Sequence, residues 1–401
     1  MKDFEKKVLA YALKNAILHG GKANQGAVIS SLFHEGLKKE NMKKHVKEIS
    51  KIISKVNKLN LIGQKKEFEN LQKVVSKRKI REGLQELPNA KKGVVMRFAP
   101  SASGPWHIAH ATTAALSFLY VEKYGGTFYV RIEDTNPENI YKPAYKMIKD
   151  EAKWLFKNKA KIIIQSDRIN LYYKYAKKLI NEGNSYVCEC SGDEFRKYSK
   201  EKKNCPCRKL SISENKKRWE KMLNKKGYKE GQAVLRFKSI GGMKNKNPAM
   251  RDFPLARINL TKHPLTGNKY RVWPLMNLSV TVDDIELKMT HVIRGKDHRD
   301  NAERQKMIYK VLGKKFPWVG FLGRLKFKDL ILSTTQFRKD IEAKKYSGWD
   351  DSKLPTLAAL RKKDYKPEAF YKFAEQMGLS ESDKVMNKKE YFYLLDSFNK
   401  K

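Results

Sequence analysis

Cysteine is scarce in this chain, with four in 401 residues, all between positions 188 and 207. So few, set so close together, argue against a disulfide framework and for one local metal site. Long apolar runs are also missing. No stretch approaches the ~20 residues that span a bilayer. The opening MKDFEKKVLAYALKNAILHG is amphipathic, carries acids and ends without a small-residue cleavage site. The expectation is a soluble, cytoplasmic protein. Acids are the third shortage: 43 Asp and Glu stand against 86 Lys and Arg, a formal charge of +43. That balance favours a polyanionic partner, nucleic acid first. Lysine-rich solvated helix faces are the alternative reading. No internal repeat is present.

What the chain does have is enough apolar and aromatic material, 40% hydrophobic with 18 Phe, 19 Tyr and 6 Trp, to bury real cores. Its length suits two or three domains. In residues 1–90 apolar positions recur three and four apart, as in Val8, Tyr11, Ala12 and Leu13, and again in Val46, Ile49, Ile52, Ile53 and Val56. This spacing predicts a helical domain. From 94 the texture changes. VVMRFAP reads as strand, IAHATTAALSFLYVEKYGG as a helix closed by glycines, and GTFYVRIEDTNPE as strand. YKPAYKMIKDEAKWLF reads as helix and KIIIQSD as strand. The alternation predicts an α/β fold with a doubly wound parallel sheet, which binds ligands at the carboxyl ends of its strands. After an insert near 190–260, RVWPLMNLSVTVDDIELKMTHVIRGKDH returns to sheet character, and loops with short helices follow from about 320.

Two places carry chemistry. In SASGPWHIAH, residues 101–110, a strand enters a helix through a glycine loop, so unpaired amides and the helix dipole make an anion site. His107 and His110 share a face of that helix and can both point at the anion; capping the helix is the competing role. A zinc role would want a third ligand and a different histidine spacing. The second place is Cys188-Glu-Cys190, fourteen residues, then Cys205-Pro-Cys207. Two short-gap cysteine pairs fit a closed tetrahedral thiolate site for zinc, with four free buried thiols as the alternative. Residues 191–230 around them carry fourteen Lys and Arg against six acids, a flank suited to nucleic-acid backbone.

RFAPSASGPWHIAHATTA resembles the first signature of class I aminoacyl-tRNA synthetases in the form used by the glutamyl/glutaminyl branch. The resemblance continues, in order, through YVRIEDTNPE, THVIRGKDH and YSGWDDSKLPTLAALRKKDYKPEAF. The amino-terminal KNAILHGGKANQGAVI is similar to the helical start of archaeal glutamyl-tRNA synthetases.

The resemblance implies a Rossmann-like catalytic domain in two halves, 91–185 and 261–325, after the helical domain 1–90. An acceptor-stem insert with a four-cysteine site would occupy 186–260, and a mobile signature loop with a helical stem-contact segment 326–401. The implied activity is ATP-dependent activation of glutamate and transfer to the 3′ end of tRNA. His107 and His110 match the catalytic histidines on the ATP phosphates, with Ser103, Gly104, Thr335, Gln336 and Lys339 also at the ATP. Arg97, Ser101, Glu133, Met276 and Arg294 match the glutamate-binding positions. Magnesium would accompany ATP, and Cys188, Cys190, Cys205 and Cys207 would hold structural zinc. The implied partner is tRNA for glutamate, with charging of tRNA for glutamine left open, and the implied state is a monomer.

The chain departs from its relatives at four points. Ala109 and Trp106 replace a glycine and a leucine of the first signature, and Met276 stands where a tyrosine is usual. In ILSTTQFRKDI, Gln336 occupies a lysine position, so the mobile charge for the leaving pyrophosphate is missing there. Last, the β-barrels that read the anticodon do not follow, and the expectation is a truncated or split enzyme with that region on a separate chain. The alternatives are a degenerate paralogue that binds tRNA or ATP without aminoacylation, and a synthetase-like enzyme acting without anticodon recognition.

Overall fold

The computed structural model describes residues 3–76 and 83–400. They divide into two units, Met1–Glu82 and Gly83–Lys401. In the first, α1 (Phe4–Leu18), α2 (Gln25–His34), α3 (Met42–Val56) and α4 (Leu61–Leu71) bury the stripe expected of them. Val8, Tyr11, Ala12, Leu13, Ile49, Ile53 and Val56 form one core with Val28 and Leu32. Asn24 and Asn60 start α2 and α4 by accepting from Ala27 N–H and Gly63 N–H. Gln64 is the polar exception. Fully buried, it donates to the carbonyls of Gly21, Val56 and Leu59 at 2.8, 3.0 and 3.1 Å, closing backbone groups that helix ends leave open.

The second unit contains the expected parallel sheet. Strands β1 (Val94–Phe98), β2 (Gly126–Ile132) and β3 (Lys161–Ile164) lie in that order, all parallel. Helices α5 (Ile108–Tyr124) and α6 (Ala144–Leu155) connect them. Further on, β8 (His291–Gly295) pairs in parallel with β9 (Trp318–Leu322). Thr290 N–H donates to Val95 C=O at 3.0 Å and sets β8 beside β1. Small residues let α5 pack closely on several sides at once: Ala111, Ala114, Ala115 and Ser117 are all buried. Gly125 then ends it in the left-handed region, φ 74°.

Between the two parallel pieces, α7 (Ile169–Asn181) leads into an antiparallel sheet. Its strands are β4 (Ser185–Cys188), β5 (Val234–Phe237), β6 (Pro254–Ile258) and β7 (Val272–Pro274). The first crossing of that sheet carries α8 (Gly192–Lys200) and α9 (Ile212–Leu223). The stretch 271–298, expected to have sheet character, supplies β7 and β8 (His291–Gly295) and also, between them, a helix that was not expected, α10 (Met276–Glu286). Residues 277–284 are all buried, so α10 shows no polar stripe and its apolar run does not carry a helical period.

Helix α11 (Arg299–Val311) precedes β9. A small parallel pair, β10 (Leu325–Phe327) and β11 (Lys384–Met386), appears where only loops and short helices are expected. Around it lie α12 (Thr334–Glu342), α13 (Leu357–Lys362), α14 (Pro367–Met377) and α15 (Lys388–Asn399). Among the described residues no helix is long and apolar enough to cross a membrane.

Candidate active site

A cavity of about 580 Å³ opens at the carboxyl ends of β1, β2, β8 and β9, where a parallel α/β sheet binds its ligands. Past the end of β1, Pro100 C=O accepts from Glu133 N–H at 2.8 Å, and Ala102 N–H donates to Glu133 C=O. This clamp between strand ends brings Ser101 and Glu133 to the same rim. Arg97, His107, His110, Met276 and Arg294 also line the cavity. Sequence reasoning had set these residues in three separate segments.

The histidines lie at the start of α5. His107 is its N-cap, and the rings of His107 and His110 stack with centroids 3.7 Å apart and planes 16° apart. Both Nδ1 atoms are buried without a hydrogen-bond partner. Burial, then the neighbouring ring of His110, drives His107 well below the ordinary imidazole range, and burial alone lowers His110 to about 4. Both are therefore neutral near pH 7, and each offers a polar N–H without competing for charge.

The entry to α5 is fixed from behind. Ile108 N–H donates to Pro355 C=O at 3.1 Å, and Leu357 N–H to Trp106 C=O at 2.9 Å. Trp106 is fully buried, edge-on to Phe98, and its backbone N–H donates to Glu151 Oε2 at 2.8 Å. Burial pushes the Glu151 carboxyl well above its usual range. The odd tryptophan of the signature is thus core packing, whereas Ala109 does line the cavity.

Gly104 has a different surrounding from the one expected. A Cβ there would lie 2.2 Å from Thr334 Cγ2 and 3.4 Å from the Trp349 ring. The glycine is needed for the close approach of α12's first residue. Thr335, Gln336 and Lys339 are exposed on α12 and, with Ser103, do not line the cavity. Gln336 donates its amide to Asp340 at 3.1 Å.

Beneath the cavity lies a lattice of charge that sequence reading missed. Arg97 donates through Nε and Nη2 to the two oxygens of Asp284 at 2.9 and 3.0 Å. Arg131 reaches Asp284 at 2.5 Å and Glu133 at 2.9 Å. Asp283 accepts from Arg168 at 2.7 Å and from Gln165 at 2.9 Å, with Tyr172 on both its oxygens. Burial works against the Asp284 charge, but the Arg97 and Arg131 guanidiniums outweigh it and hold the carboxyl at about 2. The signal was available as an acid doublet, VTVDDIE, inside an apolar run.

Arg294 is the member left over. It donates to Gln305 Oε1 at 2.9 Å, and Gln305 in turn contacts Asn277. Its Nε is buried without a partner, and no carboxylate pairs with it among the described residues. Burial and the nearby Arg97 lower it to about 10, still fully charged near pH 7. Facing the cavity, this guanidinium has donor capacity left over for an anionic ligand.

In the insert, the Sγ atoms of Cys188, Cys190, Cys205 and Cys207 all lie within 4.8 Å of one another. Two of the gaps, Cys188–Cys205 and Cys190–Cys207, are 3.9 Å. Four thiolates at ~2.3 Å from one zinc would be separated by about 3.8 Å, so the donor set fits a tetrahedral metal. Cys188 ends β4, which supplies one rigid side. Hydrogen bonds among the thiols push Cys188 above the ordinary thiol range and hold Cys207 below it. Arg218 Nη1 adds a donor to Cys207 Sγ at 3.7 Å. Lys216, Lys217 and Lys221 of α9 are exposed on the flank.

Residues 93–398 match the family model of the catalytic domain of class I tRNA synthetases (E and Q). The glutamate–tRNA ligase of Methanocaldococcus jannaschii is 47% identical over 380 residues, 94% of this chain and 68% of that protein. That of Methanobrevibacter smithii is 41% identical over 404 residues, 99% of this chain and 71% of its own length. Among solved structures, a glutamate tRNA ligase from Elizabethkingia meningosepticum in complex with its amino acid superposes with a TM-score of 0.54. It is 19% identical, covers 75% of this chain and 68% of its own, and so speaks for the fold alone. With the strand-end cavity, the stacked histidine pair at the start of α5 and these matches together, the chain belongs to the class I tRNA synthetases of the E and Q group.

Proposed function

We propose that this chain is a glutamate–tRNA ligase, and the observation that carries the reading is Arg294, a buried cation at the cavity wall without a carboxylate partner among the described residues. Glutamate has two carboxylates and an ammonium. Arg294 takes the side-chain carboxylate, Glu133 faces the ammonium and Ser101 adds a hydroxyl. Met276 packs against the methylenes. Arg97 already gives two of its nitrogens to Asp284, so it contributes its remaining Nη1 and the rigidity of the lattice behind it.

ATP lies with its phosphates toward the start of α5, where amide groups and the two neutral imidazoles present N–H donors. An oxygen of the glutamate α-carboxylate attacks the α-phosphorus, the bond to the bridging oxygen breaks, and pyrophosphate leaves. A terminal ribose hydroxyl of tRNA then attacks the glutamyl carbonyl and releases AMP. Holding reactants in line and meeting phosphate charge does most of the work, and no protein nucleophile is needed. Magnesium would accompany ATP and supply positive charge to it.

Cys188, Cys190, Cys205 and Cys207 hold a structural zinc that fixes the knuckle, and the basic face of α9 runs along the tRNA backbone. The setting is the cytoplasm. Relatives at 41–47% identity favour this reading over a degenerate paralogue. Glutamate-dependent ATP–pyrophosphate exchange by the full chain, with tRNA for glutamate present, tests it. Exchange that rises with glutamate and tRNA is expected; none above background overturns it.

A further inference from the structure

Gln336 puts an amide where the resemblance expects a lysine, and of the two cations left on α12, Arg338 lies 3.8 Å from Glu342 and Lys339 is exposed outside the cavity lining. Another part of the cavity wall is basic. Arg324, Lys326 and Lys384 line it, on and next to the pair β10–β11. Asp383 accepts from Lys326 at 2.8 Å and from Lys296 at 2.6 Å. Arg324 lies 3.8 Å from Asp297. Lys384 is half-buried and has no carboxylate partner among the described residues. Four cations here face two acids, and Lys384 is the uncommitted one.

This wall is also built to stay where it is. Lys384 N–H donates to Arg324 C=O at 2.9 Å, and Gly323 N–H to Ser380 C=O at 2.8 Å. A Cβ on Gly323 would lie 2.2 Å from Ser382 C=O, so the two segments touch backbone to backbone. Charge fixed in advance on a rigid element stabilises a developing anion without reorganisation.

We propose that Lys384 meets the pyrophosphate as it leaves, with Lys326 and Arg324 beside it, in place of the cation missing at Gln336. The inference rests on the ligase reading above. In that step the new bond joins a glutamate oxygen to the α-phosphorus, and the bond from that phosphorus to the bridging oxygen breaks. The electron pair stays on the pyrophosphate, and the Lys384 ammonium meets the added charge. No proton or electron carrier is required.

The test uses the full chain with tRNA, glutamate and ATP. Lys384→Met is expected to lower kcat for exchange on the order of 10²-fold, with the KM for glutamate kept within about twofold. Lys384→Arg keeps most of the rate, and Gln336→Lys in the Lys384→Met background restores part of it. Inorganic pyrophosphate, titrated calorimetrically without glutamate or tRNA, is expected to bind about tenfold more weakly to Lys384→Met. Unchanged kcat and unchanged pyrophosphate affinity overturn the proposal. So does a lower kcat that comes with a lower unfolding midpoint and unchanged pyrophosphate affinity. If the unaltered chain shows no exchange at all, the ligase reading fails, and the pyrophosphate titration still decides whether Lys384 holds that anion.

Discussion

Two polar clusters are buried in the second unit, and they are closed in opposite ways. Under the cavity, Arg97, Arg131 and Arg168 meet Asp283, Asp284 and Glu133, and each charge finds its counter-ion within the chain. In the insert, four cysteines converge with no counter-charge among themselves, and Arg218 and Arg236 are the cations nearby among the described residues. The first cluster is finished by folding and makes the cavity wall behind Arg97 and Glu133 rigid. The second would be completed by a bound cation, because four thiols so close cannot all ionise without one. In the proposed reading, the first steadies the wall where a small substrate is placed and the second steadies the insert that meets a large one.

The largest break in this comparison is all-or-nothing. Replacing Cys188 and Cys207 by serine is expected to take bound zinc from one per chain to none, read by metal analysis; unchanged metal content would place the ion elsewhere. Next comes the self-closed cluster. Asp284→Ala leaves Arg97 and Arg131 buried without their main partner, and about 3–5 kcal/mol of stability should be lost in urea unfolding. A loss below about 1 kcal/mol would mean that water or a repacked side chain compensates.

The histidine pair offers a smaller effect of known sign. The unfolded chain takes up a proton on His110 near 6.5, while the fold resists it until about 4. Stability is thus present above 6.5 and falls as pH drops toward 4, by up to roughly 3 kcal/mol, with His107 adding in the same direction. The slope of unfolding free energy against pH should flatten in His110→Gln. Arg294→Met completes the comparison, since Arg294 belongs to neither type of closure. Glutamate-dependent exchange should fall on the order of 10²-fold while the unfolding midpoint stays or rises slightly, because no carboxylate is orphaned. A large drop in the midpoint would contradict its role as a receptor.

How much of this was legible in the sequence follows from how local each signal is. The first strand, its loop and α5 are contiguous, so Arg97, Ser101, His107 and His110 could be read as one element. Glu133 and Arg294 came from short signatures that end strands. The unread parts are those where partners are far apart in sequence, as with Arg97 and Asp284, 187 residues apart. Burial on all sides hid α10, because a helix with no polar face has no period to detect. Gly104 was legible as a close-approach position, but the group that approaches it in this structure is Thr334. Nothing local in the sequence could name that neighbour.

The contact at Gly104 also equips the molecule with an optical gauge. Trp349 sits against that glycine, donates toward Tyr141 and packs with Phe337 of α12. Its indole is wedged between the loop that leads to the histidines and the helix that carries Gln336. Any withdrawal of α12 from the loop exchanges an apolar neighbour for water beside this one chromophore. Fluorescence lost on Trp349→Phe therefore isolates a signal whose change on adding ATP would time the opening and closing of the site.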